Sequence, residues 1–286
     1  MKFFQRILLK IRAYWLLIKS LQTGLLLSTG IAGYLSAHTT LDLRIMLGLV
    51  GSLFLAISGS TILNMWYDCD IDTVMNRTHN RPLASGKVTK REALILGLLL
   101  STIGVSWAIM LDTLYGLIVI SGLFFDVVVY TIWLKRRTSW SIVWGGVSGG
   151  IPILAGRALA IGQIDLVGIL LMMSVLFWIP THILTFNMRY FDDYKAAGVP
   201  TFPSRYGIEA TRAIIALSAI IAAASIGVAG VMIGVQAGAL RLMAVLSTGL
   251  LLLSFATVFR PSEQVNFSLF KYASIYMLAS MILLSL

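Results

Sequence analysis

The sequence LRIMLGLVGSLFLAISGSTILNMWYDCDIDTVMNRTHNRPLASG, residues 43–86, joins a long apolar run to the most polar segment of the chain. Residues 43–66 are long enough to cross a bilayer as a helix, which takes about 20 residues. Asn64, Asp68 and Asp72 then recur at every fourth position. On a helix they lie along one face and drift by about 40° per step. The stretch predicts a membrane-spanning helix that carries oxygen ligands to one membrane surface.

These three oxygen-bearing side chains suit a hard divalent cation. Mg²⁺ usually takes few carboxylates and completes its shell with water and substrate phosphates. Arg77 and Arg81 follow at a distance suited to holding phosphate oxygens. The alternative reading of each aspartate is a solvated loop residue or a helix cap, and the regular spacing argues against it. We therefore predict a metal–diphosphate site, with Asp70 pointing away from the ligand face.

The composition is that of an integral membrane protein. The chain is 58% hydrophobic and only 12% charged, whereas soluble domains average about 25% charged residues. Its net charge of +10 is explained by the Lys and Arg enrichment of cytoplasmic loops, so no nucleic-acid partner is expected. The single cysteine, Cys69, excludes an internal disulfide and a multi-cysteine metal site.

Apolar runs of membrane-spanning length follow one another along the whole chain. We predict an all-α polytopic membrane protein, with nine transmembrane helices in one bundle around a central cavity and a single domain over residues 1–286. The predicted spans are residues 14–36, 43–66, 92–110, 113–134, 139–160, 166–188, 212–234, 239–258 and 267–285. Residues 1–13 are predicted as a basic amphipathic segment on the membrane surface, with a signal peptide as the alternative.

The basic residues concentrate in alternate connections. The positive-inside rule then places the N-terminus in the cytoplasm and the C-terminus outside, with the bacterial or archaeal plasma membrane as the expected location. All the long polar loops lie on the cytoplasmic side under this topology. A second acidic cluster, with Arg189, Asp192 and Asp193, ends the sixth span. Two facing carboxylate clusters would hold Mg²⁺ ions bridged by a diphosphate, which the metal turns into a leaving group.

Four further ionisable residues lie within or at the ends of spans. Lys135 ends the fourth span and either faces a cavity or is a topology-determining cation. Lys19 in the first span is either functional or extends to the interface. His182 is either a satisfied core histidine or a substrate contact. Asp126 is predicted to pair with a polar group on a neighbouring helix.

Aromatic residues accompany the acidic loop. Trp66, Tyr67 and Tyr130 form either part of an interfacial aromatic belt or the wall of a cavity whose ring faces stabilise a transient carbocation. We predict the cavity role for these three.

The motif Asn64-x3-Asp68-x3-Asp72, followed by Asn76-Arg77-Thr78-x-Asn80-Arg81-Pro82, resembles the first signature of the UbiA superfamily of intramembrane prenyltransferases. Three other segments are similar to its protoheme IX farnesyltransferase branch, and the resemblance covers roughly residues 14–207. They are residues 130–138, residues 145–152, and Pro180-x-His182 with residues 189–200. The chain departs from this branch at Ser20-Leu21, where Pro-Arg is common, at Cys69, where an arginine is common, and at Arg189, which replaces a second-loop aspartate of other superfamily members.

The resemblance implies Mg²⁺-dependent transfer of a farnesyl group from its diphosphate to a vinyl group of protoheme IX (haem B). It implies metal binding by Asn64, Asp68, Asp72, Asp192 and Asp193. It implies diphosphate binding by Arg77, Arg81, Lys135 and Arg189, and catalytic roles for Lys19, Lys135 and His182. The prenyl tail and the product would remain among membrane lipids.

Two alternatives remain open at the level of sequence. The first keeps the chemistry and changes the acceptor to an aromatic quinone precursor such as 4-hydroxybenzoate, or to an archaeal lipid. The second is a membrane transporter, which would place its charged groups near the bilayer centre, whereas these lie at one membrane face.

Overall fold

The computed structural model describes residues 2–37 and 41–285, and in these ranges the chain forms helices and no strands. The helices are α1 (Lys2–Leu17), α2 (Ser20–Leu35), α3 (Leu43–Tyr67), α4 (Cys69–Val74), α5 (Lys90–Leu111), α6 (Thr113–Leu123), a π-helical segment (Phe124–Leu134), α7 (Ser141–Ile161), α8 (Leu166–Arg189), α9 (Phe191–Ala196), α10 (Phe202–Ile233), α11 (Ala237–Phe259) and α12 (Glu263–Leu283). The prediction of an all-α membrane protein is confirmed.

The predicted count of nine spans is not confirmed. In the described residues, seven helices are long and apolar enough to cross a membrane, and the bent pair α1–α2 raises the number to at most eight. The segment predicted as the ninth span corresponds to α12, which has 21 residues and is less apolar than the others. Polar side chains such as Asn266 and Lys271 lower its hydropathy, and several of them line the site described below.

Helix α1 packs against the start of α5. The Nζ of Lys10 lies 2.7 Å from a carboxylate oxygen of Glu92, and the hydroxyl of Tyr14 donates to the same residue at 3.3 Å. Glu92 also closes the capping box of α5 with Thr89, an arrangement that satisfies free N–H groups at a helix start. The location of residues 1–13 on a membrane surface stays a prediction.

Close helix packing in the centre of the bundle depends on glycine. Gly33 of α2 faces the carbonyl of Ile153 in α7, and Gly156 of α7 faces the carbonyl of Gly30 in α2. A Cβ atom at either position would overlap those carbonyl groups. Small residues that let two backbones approach are the usual means of helix association in membranes.

The chain contains two similar halves around this centre. In the first half α3 packs on α5, and in the second half α8 packs on α10. Each of the long helices α3 and α8 is followed directly by a six-residue acidic helix, α4 or α9. One hydrophobic cluster joins α2, α3, α5, α6 and α7, and a larger one joins α2, α7, α8, α10, α11 and α12.

An ion pair closes the end of the bundle opposite the acidic loops. Arg157, only 9% exposed, donates to both carboxylate oxygens of Asp165 at 2.7–3.0 Å and to the carbonyl and hydroxyl of Ser36 at 2.9 and 3.0 Å. Asp165 also caps α8 by accepting from the N–H of Gly168. These hydrogen bonds, led by those from Arg157, hold the pKa of Asp165 below its usual range.

Candidate functional site

The carboxylates of the opening stretch lie on one nearly continuous helical face. The backbone N–H of Asp68 donates to the carbonyl of Asn64 at 3.0 Å, and that of Asp72 donates to the carbonyl of Asp68 at 2.9 Å. The helical repeat therefore continues from α3 into α4. Asp68 and Asp72 are 2% and 3% exposed, which excludes the reading of both as solvated loop residues.

Each of these carboxylates is held by a cation from another part of the chain. The Nζ of Lys135 donates to Oδ2 of Asp68, and Nη1 of Arg81 donates to both oxygens of Asp72 at 2.8 Å. Such pairing is required because buried charges without a partner are very costly. The side chains predicted to bind a diphosphate and those predicted to bind metal thus lie in direct contact.

Asp70 has a different neighbour. Arg136 donates to both of its oxygens at 2.7 Å and to the carbonyl of Tyr67 at 2.9 Å. These hydrogen bonds lower the pKa of Asp70 to about 2. The Asp70 side chain is 61% exposed, as expected for a residue that points away from the ligand face.

The oxygen donors fit Mg²⁺ at one atom in particular. Oδ1 of Asp68 is buried without a hydrogen-bond partner, and the nearest guanidinium nitrogen, in Arg136, is 3.8 Å away. A buried carboxylate oxygen in this state is destabilising, and a hard cation would satisfy it. In the described ranges, this site included, no three His, Cys, Asp or Glu side chains are grouped closely enough to hold a metal ion by themselves.

A row of polar side chains continues from Asp68 into the bundle. The π-helical segment is closed by bonds to the fifth preceding residue, such as Lys135 N–H to the carbonyl of Tyr130 at 2.8 Å, so spacings of four and five share a face. On that face Lys135 binds Asp68, and Asp126 accepts from the hydroxyl of Ser60 on α3 at 2.5 Å. The prediction that Asp126 pairs with a polar group on a neighbouring helix is confirmed.

Lys19 lies at the break between α1 and α2. Its φ of 49° is the only positive φ among the described non-glycine residues, a conformation that is costly for a side chain with a Cβ. The backbone N–H of Thr23 donates to the carbonyl of Lys19 at 3.0 Å, so α2 begins directly after it. The structure places Lys19 at this bend, and within the described residues no hydrogen bond or ion pair joins its ammonium group to the carboxylates of α3 and α4.

The second acidic region contacts the first, as predicted from the topology. Asp193 accepts from the side-chain amide of Asn76 at 3.1 Å and from the backbone N–H of Arg77 at 3.2 Å. Ile71 and Met75 pack with Val199 in a small hydrophobic cluster that joins the two loops. Asp192 is exposed.

The two remaining arginines of the predicted diphosphate site stack on aromatic rings. Arg77 lies over Phe186 at 4.7 Å and Tyr190 at 5.6 Å. Arg189 lies over Phe267 of α12 at 4.1 Å and over Tyr190 at 5.9 Å. Within the described residues, Arg189 makes no hydrogen bond or ion pair with the carboxylates of α3 and α4.

His182 belongs to the same aromatic region at the α8–α12 interface. Its ring is stacked between Trp178, at 5.0 Å, and Phe270, at 4.4 Å, and Nδ1 lies 3.3 Å from the hydroxyl of Ser274. Phe270 and Phe267 therefore connect His182 to Arg189. Within the described residues no hydrogen bond or ion pair joins His182 to Asp68 or Lys135.

The three aromatic residues predicted to line the cavity lie in three different places. Trp66 packs in a cluster with α1 and α5, on the side of α3 opposite the ligand face. Tyr67 donates to the carbonyl of Ile132 at 3.3 Å and lies under Arg136, at the contact between α3 and the π-helical segment. Tyr130 lies under Lys135, with 5.7 Å between Nζ and the ring centre, and so adjoins the site.

Sequence reasoning missed the contribution of α12. Asn266, Phe267 and Phe270 approach α8, and the side-chain amide of Asn266 donates to the carbonyl of Thr185 at 2.9 Å. The signal that would have found this face is the recurrence of Asn266, Phe270 and Ser274 at four-residue spacing in an otherwise apolar span.

Comparison with known proteins agrees with the fold and the motifs. The model of the UbiA prenyltransferase family matches residues 25–278. A protoheme IX farnesyltransferase of Korarchaeum cryptofilum is 44% identical over 202 residues, which cover 71% of this chain and 68% of the relative. A protoheme IX farnesyltransferase of Archaeoglobus fulgidus is 40% identical over 200 residues, or 70% of each chain.

Solved structures share the fold at low sequence identity. A structure described as a digeranylgeranylglyceryl phosphate synthase has a TM-score of 0.80 at 18% identity and covers 96% of this chain and 97% of its own. A UbiA homologue from Archaeoglobus fulgidus bound to GPP and Mg²⁺ has a TM-score of 0.70 at 14% identity, with 96% and 100% of the chains covered. The arrangement of helices, the acidic motifs and the match over most of the sequence lead to one conclusion: this multi-pass membrane protein belongs to the UbiA prenyltransferase family.

Proposed function

We propose that the protein transfers a farnesyl group from its diphosphate to a vinyl group of protoheme IX, in a reaction that depends on Mg²⁺. The observation that carries the proposal is the pair of buried carboxylates on the α3–α4 face, Asp68 and Asp72, each bound by a cation. A prenyl diphosphate requires both kinds of group, because metal ions and cationic side chains share its negative charge.

The proposed donor site contains the predicted metal ligands, with Mg²⁺ held by Asn64, Asp68 and Asp72 and by Asp192 or Asp193. When bound, the ion supplies Lewis-acid stabilisation of the departing diphosphate. Lys135 and Arg81 lie within hydrogen-bond distance of the two buried aspartates. They would transfer part of their hydrogen bonding to the diphosphate oxygens and stabilise the charge that grows on them as the carbon–oxygen bond breaks.

The rest of the reaction takes place toward the interior of the bundle. Asp126 bonds to Ser60, about two helical turns before Asp68 on α3, and Tyr130 adjoins Lys135. Lys19, at the break between α1 and α2, is the further cation proposed to act in this region. An allylic cation formed there is shielded from bulk water, and ring faces attract cations. The vinyl carbon of the acceptor bonds to C1 of the prenyl group, and water adds to the resulting cation to give a hydroxyethylfarnesyl substituent.

The acceptor assignment is supported by the relatives at about 40% identity, which are named protoheme IX farnesyltransferases. It is also supported by the partly exposed rings of Phe267 and Phe270 beside His182, since a flat macrocycle packs well against aromatic rings. We further propose that residues 1–286 form one domain in the plasma membrane, with the acidic loops and the N-terminus in the cytoplasm and the C-terminus outside.

The test is a transfer assay on purified protein in detergent. Haem B, 4-hydroxybenzoate and a glycerol-phosphate lipid precursor are each incubated with radiolabelled farnesyl, geranylgeranyl and shorter prenyl diphosphates, with Mg²⁺ or with EDTA. We expect Mg²⁺-dependent label only in haem, with farnesyl diphosphate as the best donor. Label in 4-hydroxybenzoate or the lipid precursor, and none in haem, would show that the protein is a prenyltransferase with a different acceptor. Recovery of all the prenyl diphosphates intact, with no label in any acceptor in the presence of Mg²⁺, would refute the enzyme assignment.

A further inference from the structure

The face between α8 and α12 carries a pocket that the donor site does not use. It has a volume of about 30 Å³ and is lined by Thr185, Phe186, Arg189, Tyr190, Asn266, Phe267 and Phe270. On this measure a site for one water molecule needs about 10–15 Å³. The pocket therefore has room for a terminal group such as a carboxylate and is far too small for a complete macrocycle, since pockets for drug-sized ligands start at about 300 Å³.

The pocket offers one positive charge and one polar atom that needs a partner. The Cζ of Arg189 lies 4.1 Å from the ring centre of Phe267, and within the described residues its guanidinium N–H groups make no hydrogen bond or ion pair, so they are free to bind a ligand. Oδ1 of Asn266 is buried and has no hydrogen-bond partner, while the amide nitrogen of the same side chain is bound to Thr185. A buried amide oxygen without a donor is costly, and a ligand or its bound water relieves that cost.

An aromatic column leads from this pocket into the membrane. Phe267 faces Phe270 at 6.2 Å, Phe270 stacks on His182 at 4.4 Å, and His182 stacks on Trp178 at 5.0 Å. Lys271 lies over Phe267 at 4.4 Å, so two cations share one ring at the membrane surface. This region has cations at the membrane surface and aromatic rings deeper in the membrane. A ligand that matches it is flat and aromatic, with carboxylates at one edge.

A carboxylate fits this pocket better than a diphosphate does. The donor site near Asp68 combines cations with carboxylates that suit a metal-bound polyanion, whereas the pocket lining contains one cation and no acidic side chain. A single guanidinium matches a single carboxylate in charge and in its two-pronged geometry.

We propose that the pocket bounded by Arg189 and Asn266 is the subsite for a carboxylate arm of the acceptor, which on the proposed function is a propionate of haem, and that the macrocycle extends from it along Phe270 toward His182. This proposal rests on the proposed function for the identity of the acceptor. It removes Arg189 from the predicted diphosphate ligands and makes it a specificity residue for the acceptor.

The experiment compares haem B with its dimethyl ester, in which both carboxylates are blocked. Wild-type protein, Arg189→Ala, Arg189→Lys and the control Arg260→Ala are assayed for transfer, and haem binding is measured without prenyl diphosphate by absorption titration. Arg260 is an exposed arginine just before α12. For wild type and Arg260→Ala we expect esterification to weaken binding and raise the acceptor KM roughly tenfold to a hundredfold, as for loss of a charged hydrogen bond.

For Arg189→Ala we expect haem B to bind as weakly as the ester does to wild type, with no further loss on esterification. The KM for farnesyl diphosphate should stay unchanged, and Arg189→Lys should recover part of the affinity. If Arg189→Ala has a higher KM for farnesyl diphosphate and an unchanged KM for the acceptor, Arg189 binds the donor and the proposal is wrong. An equal effect of esterification in wild type and Arg189→Ala would place the carboxylate contact elsewhere.

The same experiment tests the identity of the acceptor and the role of the pocket separately. If wild type does not prenylate haem and prenylates 4-hydroxybenzoate, the proposed function fails, and the comparison is repeated with 4-hydroxybenzoate and its methyl ester. The pocket proposal stands in that case if the Arg189→Ala variant no longer distinguishes acid from ester, and it falls if the variant discriminates as well as wild type.

Discussion

The two acidic loops are built alike, because each places a short acidic helix after a long one, but their charged side chains differ in burial and in partners. After α3, Asp68 and Asp72 are buried and each is bound by a cation. After α8, Asp192 is exposed, and Asp193 accepts from the side-chain amide of Asn76 and from the backbone N–H of Arg77 in the other loop. The cations of the second region, Arg189 and Lys271, lie on aromatic rings instead of carboxylates.

Buried carboxylates with cationic partners suit a metal-bound polyanion, and cations on aromatic rings suit a flat acidic molecule. On the proposals above, the first loop binds the donor and the second binds the acceptor.

The largest effect is expected from Asp68→Ala. This change removes a predicted metal ligand and leaves Lys135 buried without its partner. We expect kcat/KM to fall by about a hundredfold to a thousandfold, the range for loss of one preorganised electrostatic group. The matched control is Asp70→Ala, which has the same charge two residues away but points to solvent with Arg136. Equal losses in both variants would break the distinction between the two faces of the helix.

The second effect concerns the cation opposite Asp68. Lys135→Ala should raise the KM for prenyl diphosphate roughly tenfold to a hundredfold, because a charge-assisted hydrogen bond to the leaving group is lost. Arg137→Ala, an exposed cation two residues further on, should leave this KM within about twofold, as expected for a surface charge. Steady-state kinetics at saturating acceptor measure both, and a larger effect at Arg137 would contradict the assignment of Lys135.

A smaller effect is expected at the contact between the two loops. Asp193→Ala removes the hydrogen bonds to Asn76 and Arg77 and should lower kcat/KM by about tenfold, with a higher Mg²⁺ concentration needed for half-maximal activity. Magnesium titrations of Asp193→Ala and Asp192→Ala sharpen the comparison. A shift in the Mg²⁺ requirement only for Asp192→Ala would make Asp192 the metal ligand and Asp193 a purely structural residue.

The smallest effect on activity is expected far from both regions. Asp165→Asn weakens the clamp with Arg157 and should leave all kinetic constants within about twofold while lowering the stability by about 1 kcal/mol. The folded-state pKa of Asp165 is depressed, so its contribution is present above the unfolded value of about 3.9 and is lost as the pH falls through the folded value.

Thermal unfolding in detergent checks this prediction. Wild type should unfold about 2 °C above Asp165→Asn near pH 7, and the difference should shrink below about pH 4. A difference that grows on acidification would contradict the sign of the pKa shift.

The sequence by itself determined the helical architecture and the common face of the carboxylates in the proposed donor site. Apolar runs of bilayer length must form helices, because backbone groups in lipid have no other partner, and the predicted spans agree with the helices to within a few residues over most of the chain. The spacing of Asn64, Asp68 and Asp72 fixed their common face, because the repeat of a helix is local geometry.

Only the tertiary structure decided which cation serves which anion. Lys135 and Arg136 are neighbours in sequence, yet one binds buried Asp68 and the other mainly exposed Asp70, and only the π-helical segment of the chain turns them to these places. Arg189 was assigned to the diphosphate from its position in a motif, and its contacts with Phe267 depend on the packing of α12 against α8. Pairings between residues distant along the chain follow from how the helices pack, and no local pattern of residues encodes them.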